Sequence, residues 1–114
     1  MTFGSYIKYV RKDMGYNVRE AADELGIAHS YLTDIENGKR NAPNAHLEKI
    51  IELYEIEEID LLYDLAGLTH HTSFVDINAY LGAYPVVREA IRLARDNGIG
   101  EEGWKVLMGL MEEN

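Results

Sequence analysis

Four polar side chains close together in the sequence carry hydrogen-bonding groups that suit the edges of nucleic-acid bases. They are His29, Ser30, Thr33 and Asp34. At helical spacing they share the outer face of one helix near its start, and together they offer both donors and acceptors. A helix that presents its first residues in this way can place them against base edges in the major groove of DNA.

The surrounding residues suit the positioning of such a helix. Ala22 is small where two helices would cross closely, and Gly26 allows a sharp turn between them. Asn17, with Glu20 three residues later, predicts a capping box at the start of the first helix. The apolar residues that would anchor the second helix from beneath are Ile27, Leu32 and Ile35. Residues 18 to 37 therefore predict a helix-turn-helix.

Apolar residues recur at helical spacing along most of the chain, which predicts an all-α fold. We expect five short helices in a first domain, residues 1–67, followed by a linker over 68–73. The boundary signals of this domain are Gly15, Gly26, Asn37-Gly38, Asn44 as the cap of the fourth helix and Gly67 as the end of the fifth.

Residues 74–114 predict a helical oligomerisation or regulatory segment. A short helix is expected from Phe74 to Leu81, and Pro85 suits the first position of the next. Asn97-Gly98 then separates that helix from a last one that ends near Met111, which makes a helical hairpin. About forty residues bury little core alone, so the hairpin must pack either on its own N-terminal domain or on a second chain.

The net charge of −9 is unevenly distributed. Residues 1–45 carry six Lys or Arg and six Asp or Glu, whereas residues 46–67 carry one Lys against seven acids. DNA affinity depends on a local basic face rather than on the overall charge. The acidic middle is interpreted as a solvated surface, and the charge does not exclude DNA binding.

Several other classes of site find little support. There is no cysteine, no apolar run of the ~20 residues that span a bilayer and no signal peptide, so we expect a cytoplasmic protein without membrane contact. His70-His71, near Asp64 and Asp76, are adjacent and diverging, which makes them poor chelators. We expect no metal, no cofactor and no enzymatic activity, because no nucleophile elbow, phosphate-binding glycine loop or carboxylate pair is present.

The chain resembles the lambda-repressor-like (Xre) helix-turn-helix family, and within it the Sin-type biofilm repressors. The resemblance covers about residues 3–66. Matching positions are Arg11-Lys12, Gly15-Tyr16, Glu20, Ala22, Gly26, Ala28, Ser30-Tyr31-Leu32 and Leu47-Glu48-Lys49. It implies a five-helix DNA-binding domain and a transcriptional regulator that binds double-stranded DNA.

The resemblance also implies structural roles and phosphate contacts. Arg11 and Glu36 match a salt bridge that ties the first helix to the recognition helix, with two unrelated surface charges as the alternative. Asn17 matches a cap near phosphate. Relatives often carry Gln where this chain has Val18, which cannot hydrogen-bond, so Arg19 is the candidate replacement.

Base contacts are implied for the outer face of the recognition helix. His29, Ser30 and Thr33 match base-contacting positions, where His29 can donate to guanine and the Thr33 methyl can pack on thymine. Asp34 either accepts from cytosine or only excludes wrong sequences, and Tyr31 either reaches a phosphate or stacks within the protein. The remaining phosphate candidates are Lys39, Arg40 and Asn41, in a loop that often follows the DNA backbone.

The C-terminal part resembles the hairpin by which Sin-type repressors dimerise or bind an antagonist. The candidate dimerisation residues are Val87, Ile91, Ala94, Trp104, Leu107, Met108 and Met111. Two functions of different class follow. One is a homodimeric regulator, a repressor in the first instance, on a two-half-site operator. The other is an antitoxin or antagonist that sequesters a partner protein through its C-terminal helices.

Overall fold

A computed structural model of the chain describes residues 1–70 and 74–113, with the side chain of His70 left aside. The described residues form helices and connecting turns, as an all-α fold requires. The helices are α1 Phe3–Asp13, α2 Val18–Leu25, α3 His29–Glu36, α4 Asn44–Leu53, α5 Ile59–His70, α6 Val75–Ala83, α7 Pro85–Asp96 and α8 Glu101–Glu112. Within these ranges, none of the helices has the length and apolar character needed to cross a bilayer. The chain divides into two compact units, Met1–Asp76 and Ile77–Asn114.

Local signals place the start and end of α2 where the sequence predicts them. The Asn17 side chain accepts from the Glu20 backbone N–H at 2.8 Å, and Glu20 accepts from the Asn17 N–H at 3.2 Å. This is the predicted capping box. Gly26 ends the helix in the left-handed conformation, with φ of +73°, which glycine adopts without strain. The prediction for both ends of α2 is confirmed.

The first unit has one apolar core, to which α1 to α5 all contribute. Its buried residues are Phe3, Tyr6, Ile7, Ala21, Ala22, Leu25, Leu32, Ile35, Leu47, Ile50, Tyr54, Ile56 and Leu62. Each large aliphatic side chain buried here stabilises the fold by about 1.5–3 kcal/mol. The helix-turn-helix, formed by α2 and α3, therefore packs against three further helices, which fix the orientation of α3.

Helices α1 and α3 approach each other closely at Gly4. A Cβ atom placed on Gly4 would lie 2.4 Å from the Glu36 carbonyl oxygen, well inside van der Waals contact. The start of α1 is also fixed from α5, because the Phe3 N–H donates to Thr69 Oγ1 at 3.0 Å. These contacts place α1 directly against the C-terminal end of α3.

Two sequence-predicted boundaries of the first unit are wrong. Asn44 is the first helical residue of α4 rather than its cap, because Pro43 takes the cap position and its carbonyl accepts from the His46 N–H at 2.9 Å. Helix α5 does not end at Gly67 but continues to His70. A Cβ atom on Gly67 would lie 2.6 Å from the Phe74 ring, so glycine allows that ring to pack there rather than ending the helix.

The predicted linker 68–73 is therefore helical over its first three residues, while residues 71–73 lie outside the described part of the chain. His71, of the His70-His71 pair considered above as a metal site, also lies outside the described residues. The compact units divide after Asp76, slightly beyond the predicted start of the C-terminal segment at 74. The assignment of separate roles to the two segments stays a prediction.

The second unit contains α7, α8 and most of α6. Pro85 occupies the first turn of α7, as predicted. The Arg88 guanidinium on α7 donates to the carbonyl oxygens of Leu81 and Gly82 at the end of α6, which fixes the corner between the two helices. Gly98 adopts the left-handed conformation between α7 and α8. None of the described residues in these three helices is buried.

Candidate nucleic-acid interface

Helix α3 buries one side and exposes the other, as a recognition helix must. Leu32 and Ile35 have no solvent exposure and anchor the helix in the core. His29, Ser30 and Thr33 are exposed on the same helix, and Asp34 is half-buried. The predicted base-contacting residues thus lie together on a rigid surface rather than on a loop.

Thr33 uses its hydroxyl within the helix. Its Oγ1 donates to the His29 carbonyl oxygen at 3.1 Å, one turn earlier. This bond occupies the only donor of the side chain. The arrangement leaves Thr33 best suited to the apolar contact predicted for it, between its methyl group and a thymine methyl.

The residues that follow α3 form a small cluster around Tyr31. The Arg40 guanidinium carbon lies 4.9 Å from the centre of the Tyr31 ring, and Arg40 Nε lies 4.0 Å from Asp34 Oδ2. A second partner of Tyr31 is His46 on α4, whose ring meets it edge-on at 6.0 Å between ring centres. Of the two roles considered for Tyr31, these contacts favour stacking within the protein, where it supports Arg40.

The contact between Asp34 and Arg40 bears on the DNA contacts that we expect of both residues. A carboxylate on a DNA-binding face repels phosphates, but here it lies beside a cation on a neighbouring loop. Arg40 in turn is oriented by Tyr31 and Asp34 in the free protein, so its side chain would lose less conformational entropy on binding a ligand. Lys39 and Asn41 are exposed on either side of it, after Gly38 has turned the chain with φ of +77°.

The start of α2 supplies the other candidate phosphate contacts. Asn17 is exposed, and its side chain is already committed to the capping box. Val18 is half-buried and packs against the apolar core, which accounts for an apolar residue there. Arg19 is exposed at the next position and stays the candidate for the phosphate contact that Val18 cannot make.

The salt bridge expected between Arg11 and Glu36 is present and buried. Arg11 Nε donates to Glu36 Oε2 at 2.8 Å, and the exposed fractions of the two side chains are only 5% and 4%. The hydrogen bond from Arg11 to Glu36 raises the pKa of the guanidinium, while burial acts in the opposite direction. The pair joins α1 to the last residue of α3 and so holds the end of α3 against α1.

Sequence reasoning missed three residues around this site. Asp23 at the end of α2 contacts His29, with Oδ1 2.9 Å from His29 Nε2. Tyr54 is buried beside the Arg11–Glu36 pair, and burial raises the pKa of its hydroxyl. Gly4 allows the close approach of α1 to α3. Of these three, only Asp23 had a signal in the sequence, because Asp23 and His29 lie on either side of the predicted turn between the two helices.

The candidate dimerisation residues are not buried in the chain itself. Val87 and Ala94 are half-buried, whereas Ile91, Trp104, Leu107, Met108 and Met111 are exposed. Trp104, Leu107, Leu110 and Met111 line an apolar depression of about 320 Å³ on α8. Such a surface is typical of a face that another helix covers.

Comparison with known proteins agrees with this geometry. Residues 7–61 match a family model described as a helix-turn-helix. The matched residues include α2 and α3, the two helices of the helix-turn-helix described above.

Named relatives are transcriptional regulators from Bacillus. The chain is 37% identical over 60 residues to the HTH-type transcriptional regulator SinR of Bacillus subtilis, which covers 52% of this chain and 54% of that protein. It is 36% identical over 59 residues to the regulator SlrR of the same organism, covering 51% and 39%. The chain thus aligns with about half of SinR and less of SlrR. A solved SinR–SinI complex resembles it with a TM-score of 0.49 and 22% identity, over 97% of this chain and 95% of that one.

Proposed function

We propose that this protein is a sequence-specific transcriptional regulator, acting as a repressor, that binds a two-half-site operator in double-stranded DNA as a homodimer. The observation that carries the proposal is the two-sided character of α3. Its inner side is fixed in the core by Leu32 and Ile35, and its outer side presents His29, Ser30 and Thr33. Such a regulator would work in the cytoplasm, where it meets the chromosome.

The distribution of charge supports a modest affinity for each subunit. Residues 1–45 are neutral overall, and their basic side chains near α3 are few. Because each phosphate contact contributes to affinity through the counterions it releases, few contacts give weak binding by one copy. Two copies on half-sites about 34 Å apart would offset this weakness. Dimerisation is therefore part of the proposal.

The apolar face of α8 is the surface that we assign to pairing. Trp104 is 39% exposed, Leu107 42% and Met111 67% in the single chain. A second copy that covers this face would bury side chains whose exposure is costly in water. The same face supports a second candidate function, an antagonist or antitoxin that sequesters a different protein and binds DNA weakly.

Selection of bound DNA from a random pool, followed by a salt titration on the selected sequence, tests DNA binding. We expect a paired site and a steep loss of affinity with salt. Ser30→Ala and His29→Ala should relax base preference, whereas the exposed Asn78→Ala on α6 should keep it. Binding that does not depend on salt, or wild-type preference in both α3 variants, would favour the sequestering function instead.

Light scattering on the full chain tests the pairing surface. Met111→Glu should shift the protein toward monomer and weaken binding to the paired site. Leu68→Glu is the control, because Leu68 is an apolar residue of similar exposure (63%, against 67% for Met111) and the introduced residue is the same. A dimer that persists in Met111→Glu, or one lost equally in the control, would contradict the assignment to α8.

A further inference from the structure

The first residue of α3 is held by an acidic side chain from α2. His29 Nε2 lies 2.9 Å from Asp23 Oδ1, with the two side chains 44% and 68% exposed. An ionised carboxylate only accepts hydrogen bonds, so Nε2 must carry a proton and donate it to Asp23. The other ring nitrogen, Nδ1, is then the atom left to meet a ligand.

The protonation state of the ring decides what Nδ1 can contact. In the neutral ring Nδ1 is an acceptor, which suits the amino groups of adenine or cytosine. In the charged ring Nδ1 is a donor, which suits the N7 and O6 acceptors of guanine. Without Asp23, the neutral ring could carry its proton on either nitrogen. Its Nδ1 could then donate to guanine whether the ring is neutral or charged.

We propose that Asp23 is a specificity-determining residue that acts through His29. By accepting from Nε2 it makes Nδ1 the base-contacting atom, and His29 then selects guanine in its protonated form. The inference rests on the proposed function, since it requires α3 to meet base edges. Asp23 itself is a positioning residue and touches no base.

The other charged side chains of α3 are paired with groups other than the His29 ring. From α2, Asp23 is the group that faces the ring, and His29 forms no further ion pair in the described part of the chain. On α3, Asp34 lies beside Arg40, and Glu36 is paired with Arg11. The Thr33 hydroxyl bonds the His29 backbone rather than its ring. A response of guanine preference to pH would therefore follow from His29 and Asp23.

Nitrogen-15 NMR of the free full-length protein gives the first test. We expect His29 to carry its proton on Nε2 when the ring is neutral. Asp23→Ala should give a mixture of the two neutral forms. Asp23→Asn, which keeps an acceptor oxygen, should restore the Nε2–H form. A wild-type ring protonated on Nδ1 would overturn the proposal, as would an unchanged ring in Asp23→Ala.

The second test measures binding of the same proteins to the selected operator, with guanine or another base at the position that His29 contacts. For the wild type we expect guanine to be preferred about tenfold at a pH where NMR shows the His29 ring charged, and less than about twofold at a pH where NMR shows it neutral. Asp23→Ala should show the same preference at both pH values. Glu24→Ala removes an equal charge from the same turn of α2 and should keep the wild-type profile, although both variants should bind DNA more tightly.

The role of Asp23 and the proposed function fail in different ways. If the wild type binds DNA and Asp23→Ala keeps its pH profile, the role of Asp23 is wrong and the proposed function stands. If the wild type binds no DNA sequence, even with Nε2 protonated in the free protein, the proposed function fails, and the role of Asp23 in base selection fails with it.

Discussion

Arg11 and Glu36 form a bidentate ion pair between α1 and the end of α3. Arg11 Nε and Nη2 donate to the two carboxylate oxygens of Glu36 at 2.8 and 3.0 Å, and Nη1 donates to the Tyr16 carbonyl oxygen at 2.8 Å. Each charge is removed from water but is met by hydrogen bonds with good geometry. The pair links α1, the chain before α2 and the recognition helix.

Removal of one partner from this pair should be far more costly than loss of a surface pair. Glu36→Ala leaves the Arg11 charge buried, and we expect the free energy of unfolding to fall by about 3–5 kcal/mol. Lys105→Ala on α8 is the control, because its bonds to Glu101 and Glu102 at 3.4 and 3.6 Å are exposed and worth about 1 kcal/mol at most. Urea denaturation measures both, and equal losses would contradict the buried bridge.

Gly4 should not tolerate even the smallest side chain. In Gly4→Ala the new methyl group would meet the Glu36 carbonyl oxygen at 2.4 Å, and the backbone of α3 cannot yield as a side chain would. We expect a loss of roughly 1–3 kcal/mol in thermal or urea unfolding. The corresponding change at Gly82 on α6, where a Cβ atom meets nothing within 4 Å, should be neutral or slightly stabilising. Similar effects at the two positions would argue against the close approach.

The buried hydroxyl of Tyr54 should lower the free energy of unfolding. It has no hydrogen-bond partner among the described residues, while its ring is fully packed. Tyr54→Phe keeps the ring and removes the unpaired oxygen, so we expect no loss and a gain of up to about 1–2 kcal/mol at neutral pH. Tyr9→Phe, at a 63% exposed ring, is the control and should change little. A clear loss in Tyr54→Phe would show that the hydroxyl is bonded.

The same residue should make the protein sensitive to alkali. Burial, and secondarily the Glu36 carboxylate, raise the pKa of Tyr54 above its ordinary 10.0. The folded protein then holds this proton more tightly than the unfolded chain, so the free energy of unfolding is independent of this group below about pH 10 and falls as pH rises further. Tyr54→Phe should flatten this loss in urea midpoints measured on both sides of pH 10. Burial also raises the pKa of Tyr6 and Tyr63, so part of the slope should remain.

Arg40 should contribute to DNA affinity without contributing to base preference. Its guanidinium is oriented by Tyr31 and Asp34 beside the exposed face of α3. Arg40→Ala should weaken binding to all sequences alike and reduce the slope of affinity against salt by about one ion. The matched variant is Lys105→Ala, which removes a cation from the second unit. An unchanged slope in Arg40→Ala would place this residue away from the phosphates.

Several helix boundaries follow from local sequence signals. The capping box of Asn17 and Glu20, the left-handed Gly26 and the start of α7 at Pro85 all lie where the sequence predicts them. Each depends on groups no more than four residues apart, whose geometry the backbone fixes. The salt bridge of Arg11 and Glu36 is expected only from the family resemblance, because the two residues are 25 positions apart.

Gly67 illustrates where local signals fail. A glycine after an apolar run predicts the end of a helix, yet α5 continues to His70, and the absence of a side chain at Gly67 makes room for the Phe74 ring. The sequence likewise leaves two roles open for Tyr31, and the contacts of its ring with Arg40 and His46 favour stacking within the protein. In both cases the deciding partner comes from another part of the chain.

The sequence by itself determined the all-α class, both ends of α2 and the outward position of His29, Ser30 and Thr33 on α3, because these depend on a period of 3.6 residues and on contacts within one turn. Only the tertiary structure decided which side chains from different helices meet. Asp23 reaches His29 because the turn at Gly26 sets the angle between α2 and α3. That angle depends on the packing of the whole core around Leu32 and Ile35, which no short segment specifies.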